Sequence, residues 1–242
     1  MLFNLITGIL AFNLISSNSL KVQKQNLVFF TGGNSIMPSF IYSNFINKLK
    51  DYYNVEIINN LDNKNNQVLE KLLNIYKKDN DFIALSHSSG ATSLINYCNK
   101  FDISKYILLD PVDNNKLIKN KELEFNNNNK VLILNAEKSF NWNFNSLPKI
   151  PFIPMGKLKN NFNNYNEITL KDAGHCDILD DPYSNFMNKN LAEGLSDRDK
   201  VSQYQQCLIN LINLFTMDNL NNNTVQIIEN FDFEYNYKEK LI

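Results

Sequence analysis

Two short segments hold the residues whose types and spacing suit nucleophilic chemistry. Ser86-His87-Ser88-Ser89-Gly90 sets a central serine between small residues two before and two after it. Ala173-Gly174-His175-Cys176-Asp177 carries His175, and His87 is the other of the chain's 2 histidines. A serine hydroxyl attacks a carbonyl poorly until a base takes its proton, and an acid must hold that base in one tautomer. Ser88, His175 and an acid lying between them in the chain make such a set. The order serine, acid, histidine is the one found with the G-x-S-x-G elbow, which here reads S-x-S-x-G. His87, next to the nucleophile, is expected to point away from the site of attack.

Three carboxylates compete for the acid's place. Asp110 ends an apolar run in Leu109-Asp110-Pro111-Val112-Asp113. Glu137 follows the next run in Leu134-Asn135-Ala136-Glu137-Lys138. Asp110 is favoured because its run should lie beside the one feeding the elbow; Glu137 is second and Asp113 third. An oxyanion needs two backbone N–H donors. One is expected from Ser89, and the other from Gly33 or Asn34 in the glycine turn Thr31-Gly32-Gly33. Attack, acyl transfer and release by water then need no metal and no organic cofactor. Phe140, Trp142, Phe144 and Phe152 fall in one long loop, where they either line an apolar substrate pocket or pack that loop onto the body.

These residues need a frame. Short apolar runs at 27–30, 55–58, 82–85, 106–109, 131–134 and 168–170 read as strands buried on both faces. Helical patterns lie between them at 38–52, around Val68, Leu69, Leu72, Leu73 and Tyr76, and at 91–98. A closing amphipathic helix carries Val201, Tyr204, Leu208, Leu211 and Phe215. Such alternation predicts an α/β fold with a mostly parallel, doubly wound sheet flanked by helices on both faces. Reactive residues belong at the carboxyl ends of its strands, where Ser88, Asp110 and His175 all fall. The connections 111–129 and 138–165 exceed the usual length and are candidates for a substrate cover.

Composition narrows the classes. The chain has 242 residues, enough for one sizeable α/β domain, and a formal net charge of −1 that gives no basis for binding nucleic acid. No G-x-G-x-x-G opens a helix after a strand, which argues against a dinucleotide-binding protein. Cys98, Cys176 and Cys207 are too few and too scattered for a disulfide framework or a zinc site. Cys98 and Cys207 are expected in the core, and Cys176 in the core or against a pocket. Asparagine clusters in runs such as 126–129, so an Asn in a loop carries little information.

Residues 1–19 form a targeting or anchor segment on this reading, 20–218 the α/β domain, and 219–242 a polar, acidic C-terminal extension. If 1–17 is cleaved, the chain takes a secretory or organellar route. If it is kept, the chain is cytoplasmic, and the apolar segment supplies either a first strand or an anchor on a membrane surface. Oligomeric state is left open.

Leu109-Asp110-Pro111-Val112-Asp113 and Gly174-His175-Cys176-Asp177-Ile178-Leu179-Asp180-Asp181 resemble the acid and histidine motifs of chlorophyllases and chlorophyllase-like hydrolases. The likeness spans about residues 26–217. It implies an α/β-hydrolase fold, the triad Ser88, Asp110 and His175, and a bulky hydrophobic ester, a small molecule rather than a macromolecule, as substrate. The sequence departs from that family at Ser86, in the absence of a His-Gly at Thr31-Gly32-Gly33, and in a short spacing from elbow to acid. A lipase or thioesterase acting on acyl lipids, and a catalytically inactive hydrolase fold that binds a partner, are the competing readings.

Overall fold

The structure is a computed structural model that describes residues 24–35, 37–59, 65–98, 100–113, 129–140, 156–157, 164–190, 194–195, 197–220 and 222–240. In chain order its elements are β1 (Asn26–Phe30), α1 (Gly32–Ser35), a 3-10 turn (Ser39–Tyr42), α2 (Ser43–Lys50), β2 (Asn54–Ile58), α3 (Asn65–Asp79), β3 (Ile83–His87), α4 (Gly90–Cys98), β4 (Lys105–Leu109) and β5 (Val112–Asp113). There follow β6 (Lys130–Ala136), a second 3-10 turn (Glu137–Phe140), β7 (Gly156–Lys157), β8 (Tyr165–Leu170), α5 (Tyr183–Asn190), α6 (Arg198–Thr216), α7 (Asn222–Asn230) and β9 (Tyr235–Lys240).

Seven strands form one sheet in the order β2-β1-β3-β4-β6-β8-β9. All neighbours run parallel except β8 and β9. Alternate side chains of the central strands enter opposite cores. Leu27, Phe29, Leu85, Ile107, Leu109, Leu132 and Leu134 meet α2, α6 and α7 on one face. Val28, Phe30, Ala84, Tyr106, Leu108, Val131 and Ile133 meet α3 and α4 on the other. A strand covered on both faces has no polar side, which is why these segments read as unbroken apolar runs.

The helices follow their apolar stripes. α2 buries Phe45, Ile46 and Leu49, and ends on Lys48 and Lys50, whose charges suit a helix C-terminus. α6 begins at Asp197, whose carboxylate accepts the N–H of Asp199, and buries Tyr204, Leu208, Leu211 and Phe215. In α3 the buried stripe is Val68 and Leu72 with Ile75 and Tyr76 against them. Leu73, expected on that stripe, is exposed instead, because it lies 100° round the helix from Leu72.

Beyond residue 218 the chain continues as structure. α7 packs Ile228 into the first core, and β9 extends the sheet antiparallel to β8, with Tyr235 opposite Leu170 and Lys240 opposite Tyr165. α7 opens on Asn222-Asn223-Thr224 and buries Thr224. The two long connections are tied together: Val112 pairs with Lys157 and Asp113 with Gly156 in a two-stranded ribbon. Residues 1–23 lie outside the described residues. A parallel sheet with a strand-to-helix elbow after β3, crossovers on both faces and an antiparallel edge is the α/β-hydrolase fold.

Candidate active site

Ser88 occupies the turn between β3 and α4 with φ 56°. A non-glycine residue reaches this left-handed region at a cost of about 1 kcal/mol or more. The turn is held by its surroundings. Ser88 N–H donates to Leu109 O at 2.9 Å, and Ser88 O accepts the N–H groups of Ala91 (3.2 Å) and Val112 (3.3 Å). Gly90 must be small, because a Cβ there would overlap the carbonyl oxygen of Thr31 and lie 2.8 Å from that of Phe30. The Ser86 hydroxyl is buried and has no hydrogen-bond partner among the described residues.

Asp110 is the first residue beyond β4 and also has positive φ, 45°. Its N–H donates to Leu134 O at 2.7 Å, which fixes the turn against β6. One carboxylate oxygen accepts the N–H of Ala136 at 3.3 Å; the other accepts the Ser139 hydroxyl and meets His175 Nδ1. Ser139 Oγ is also 3.3 Å from His175 Nδ1. Burial alone would raise the Asp110 carboxyl. The adjacent His175 and the hydrogen bonds from His175 and Ser139 outweigh it and hold the group below the usual carboxylate range.

His175 lies in the turn after β8, with Nε2 at 2.9 Å from Ser88 Oγ. Its loop is pinned by acids that neighbour it in sequence. Asp177 accepts the N–H groups of Gly174 (2.7 Å) and Leu195 (3.0 Å) and the Asn188 side chain (2.6 Å). Asp180 accepts the N–H of Asn44 at 2.9 Å and gives its own N–H to Ile41 O at 2.7 Å. Cys176 is buried with Cys98 and Cys207, all three unpaired, so packing accounts for it.

The structure thus brings Ser88, His175 and Asp110 together. Glu137 stands apart: it is exposed and accepts the Asp172 N–H at 3.1 Å. Asp113 lies in β5, and its side chain is outside the described residues. Ser89 is buried at the start of the elbow helix. Gly33, with φ 62°, and Asn34 sit in the tight turn after β1. A Cβ on Gly32 would lie 3.5 Å from that of Ser88, so this turn reaches the nucleophile. The Gly32 N–H is engaged by Tyr42 Oη at 3.1 Å, which leaves Gly33 and Asn34 as the donors to consider there. The side chain of Phe140, and all of Trp142, Phe144 and Phe152, lie outside the described residues. A cavity of about 630 Å³ between α2, α5 and α6 is walled by Lys48, Asp51, Asp181, Arg198 and Gln205 among others. Ser88, Asp110 and His175 take no part in that wall.

No protein-family profile matches the chain, and no curated protein does. Solved structures do align with it. One is a protein assigned to the alpha/beta hydrolase superfamily from Xanthomonas campestris pv. campestris, at 12% identity over 48% of this chain and 73% of that one, with a TM-score of 0.37. A second is the esterase domain of a Rhodothermus marinus protein, at 9% identity over 70% and 86%, with a TM-score of 0.42. A third is the phospholipase PlaB of Legionella pneumophila, at 10% identity over 63% and 48%, with a TM-score of 0.36. These likenesses are distant, and the site stands on its own geometry.

Two further side chains lie against the triad, Ser139 and His87. Ser139 has no motif to mark it; only the 3-10 turn after β6 brings it to Asp110. His87 was expected to point away, yet its ring lies 4.8 Å from that of His175, centroid to centroid. The position just before a nucleophile says nothing about what a side chain will meet behind it.

Proposed function

We propose that the protein is a serine hydrolase that cleaves a carboxylic ester through an acyl-enzyme on Ser88. The observation that carries this reading is the 2.9 Å approach of His175 Nε2 to Ser88 Oγ on a strand-to-helix turn with positive φ. Asp110 at Nδ1 supports it, because a carboxylate there selects the tautomer with the proton on Nδ1 and the lone pair on Nε2. Ser88 Oγ attacks the ester carbonyl carbon while its proton passes to His175 Nε2. The oxyanion is held by the N–H of Ser89 and that of Gly33 or Asn34. The carbon–oxygen bond breaks, the alcohol leaves with the proton from His175, and water repeats the sequence to free the acid and restore Ser88.

The substrate class we infer is a bulky hydrophobic ester. That choice is supported by the likeness of 109–113 and 174–181 to chlorophyllase motifs, both of which carry residues of the site.

Labelling of the purified chain by a fluorophosphonate, followed by an ester panel, tests the reading. Wild type is expected to label at Ser88, and Ser88→Ala and His175→Ala to lose the signal. A folded wild type that neither labels nor turns over any ester overturns it.

A further inference from the structure

His87 is buried directly behind the reacting groups, and its two ring nitrogens have different partners. Nε2 is 3.1 Å from the backbone carbonyl oxygen of His175. Nδ1 is 2.9 Å from Tyr42 Oη. A carbonyl only accepts, so Nε2 carries the proton and Nδ1 is a bare acceptor. Tyr42 must then donate to Nδ1, and its oxygen accepts the Gly32 N–H at 3.1 Å. Every partner in this chain is used once and in one direction: Gly32 N–H to Tyr42, Tyr42 O–H to His87, His87 N–H to His175 O. Its ends are the turn that offers the second oxyanion donor and the loop that carries the base.

We propose that His87, with Tyr42, is a positioning residue that locks the oxyanion turn at Gly32 and the backbone of His175 into one rigid unit. The proposal rests on the serine-hydrolase reading for its catalytic consequence, though not for the linkage itself. Packing agrees with it. A Cβ on Gly32 would lie 2.9 Å from Tyr42 Oη and 3.3 Å from His87 Nδ1, so the turn rests on this contact. Tyr42 and His87 meet edge to face at 5.6 Å, and Phe29 closes on Tyr42 at 5.3 Å. Burial, helped by the neighbouring His175, pushes His87 down to about 3, so the ring stays neutral. Burial likewise pushes the Tyr42 phenol up and keeps it a donor. A neutral His87 adds no positive charge beside His175, where one would oppose proton uptake from Ser88.

The two arms separate by substitution. His87→Asn puts an amide oxygen near the place of Nδ1 and keeps an acceptor for Tyr42, but does not reach the His175 carbonyl. His87→Gln puts an amide N–H near the place of Nε2 and keeps that donor, but loses the acceptor site. His87→Phe removes both, and Tyr42→Phe releases Gly32 and His87 together. The measurements are kcat and KM on a short p-nitrophenyl ester, with kcat taken per serine titrated by a fluorophosphonate, and hydrogen exchange of segments 29–35 and 173–180. Expected are a fall in kcat of about 10–100-fold in His87→Phe with KM little changed, as for misplacement of reacting groups by a fraction of an ångström. Asn and Gln are expected to recover part of kcat, and each variant to speed exchange in the segment whose arm it cuts. Unchanged exchange in both segments of His87→Phe overturns the linkage, whether or not wild type hydrolyses the ester. Faster exchange with unchanged kcat per titrated serine overturns the catalytic role. A wild type that is neither labelled by the fluorophosphonate nor active on any ester, but shows coupled exchange, removes the hydrolase reading and keeps the linkage.

Discussion

Ser88 and Asp110 leave the sheet at the same level on neighbouring parallel strands, because His87 pairs with Leu109 in the β3–β4 register. Each is the first residue past its strand, and each turns through positive φ. Two adjacent strands therefore deliver two reacting groups side by side, and His175 need only descend from the loop after β8 to bridge them.

Asp110 sits at Nδ1 of His175, and Glu137 does not. Asp110→Asn is expected to lower kcat on the order of 10⁴-fold through the wrong tautomer, while Glu137→Gln stays within about twofold. Steady-state kinetics of the two variants check this; equal losses would remove Asp110 from the role.

The same residue makes a pH prediction. Its folded carboxyl titrates below the ordinary value of about 3.9, so between these two values the unfolded chain binds more protons than the folded one. Its stabilisation is present above about pH 4 and is lost as pH falls through the folded value. Acid unfolding of Asp110→Asn should show a shallower loss in that window than wild type, as followed by circular dichroism.

Ser139 gives its hydroxyl to Asp110 and lies against His175 Nδ1. Ser139→Ala removes one donor from a buried carboxylate, a loss of about 1.5–3 kcal/mol for a hydrogen bond to a charged group. We expect a lower Tm and a fall in kcat of about tenfold, with KM nearly unchanged. A variant with wild-type kcat would make Ser139 a packing residue only.

The two small residues of the elbow should answer differently to alanine. Gly90→Ala meets backbone carbonyls that cannot move away, so a cost of about 1–3 kcal/mol and slower fluorophosphonate labelling are expected. Ser86→Ala removes a buried hydroxyl with no partner among the described residues, and should raise stability by up to about 1 kcal/mol, or 2–4 °C in Tm. Thermal melts of both variants decide it.

Phe233 leads into β9, is nearly buried, and packs edge to face on Tyr204 of α6 at 6.0 Å. Phe233→Ala should cost about 3 kcal/mol. Removal of 233–242 should uncover the hydrogen-bonding edge of β8 and promote association, visible by light scattering. A truncated chain that melts like wild type would show that β9 contributes nothing to the sheet's stability.

The unbroken apolar runs marked β1, β3, β4 and β6, which are covered on both faces, whereas β2, with Glu56, and β8 are only half-buried and show the pattern less fully. The small residues around Ser88 marked the elbow, and chain order placed His175 after the last parallel strand. These features are local: they depend on periodicity and on which residues tolerate a tight turn. β9 was not legible in Tyr235–Lys240, because an edge strand is solvated and has no apolar run to reveal it. Nor could spacing choose among Asp110, Glu137 and Asp113. That choice follows from strand register, which sets Asp110 beside Ser88 and sends Glu137 one strand further out to the Asp172 backbone. The partners of His87 and the approach of Ser139 are likewise tertiary. A hydrogen bond between residues far apart in the chain depends on where the packed elements bring their side chains, and no spacing along the sequence encodes that distance.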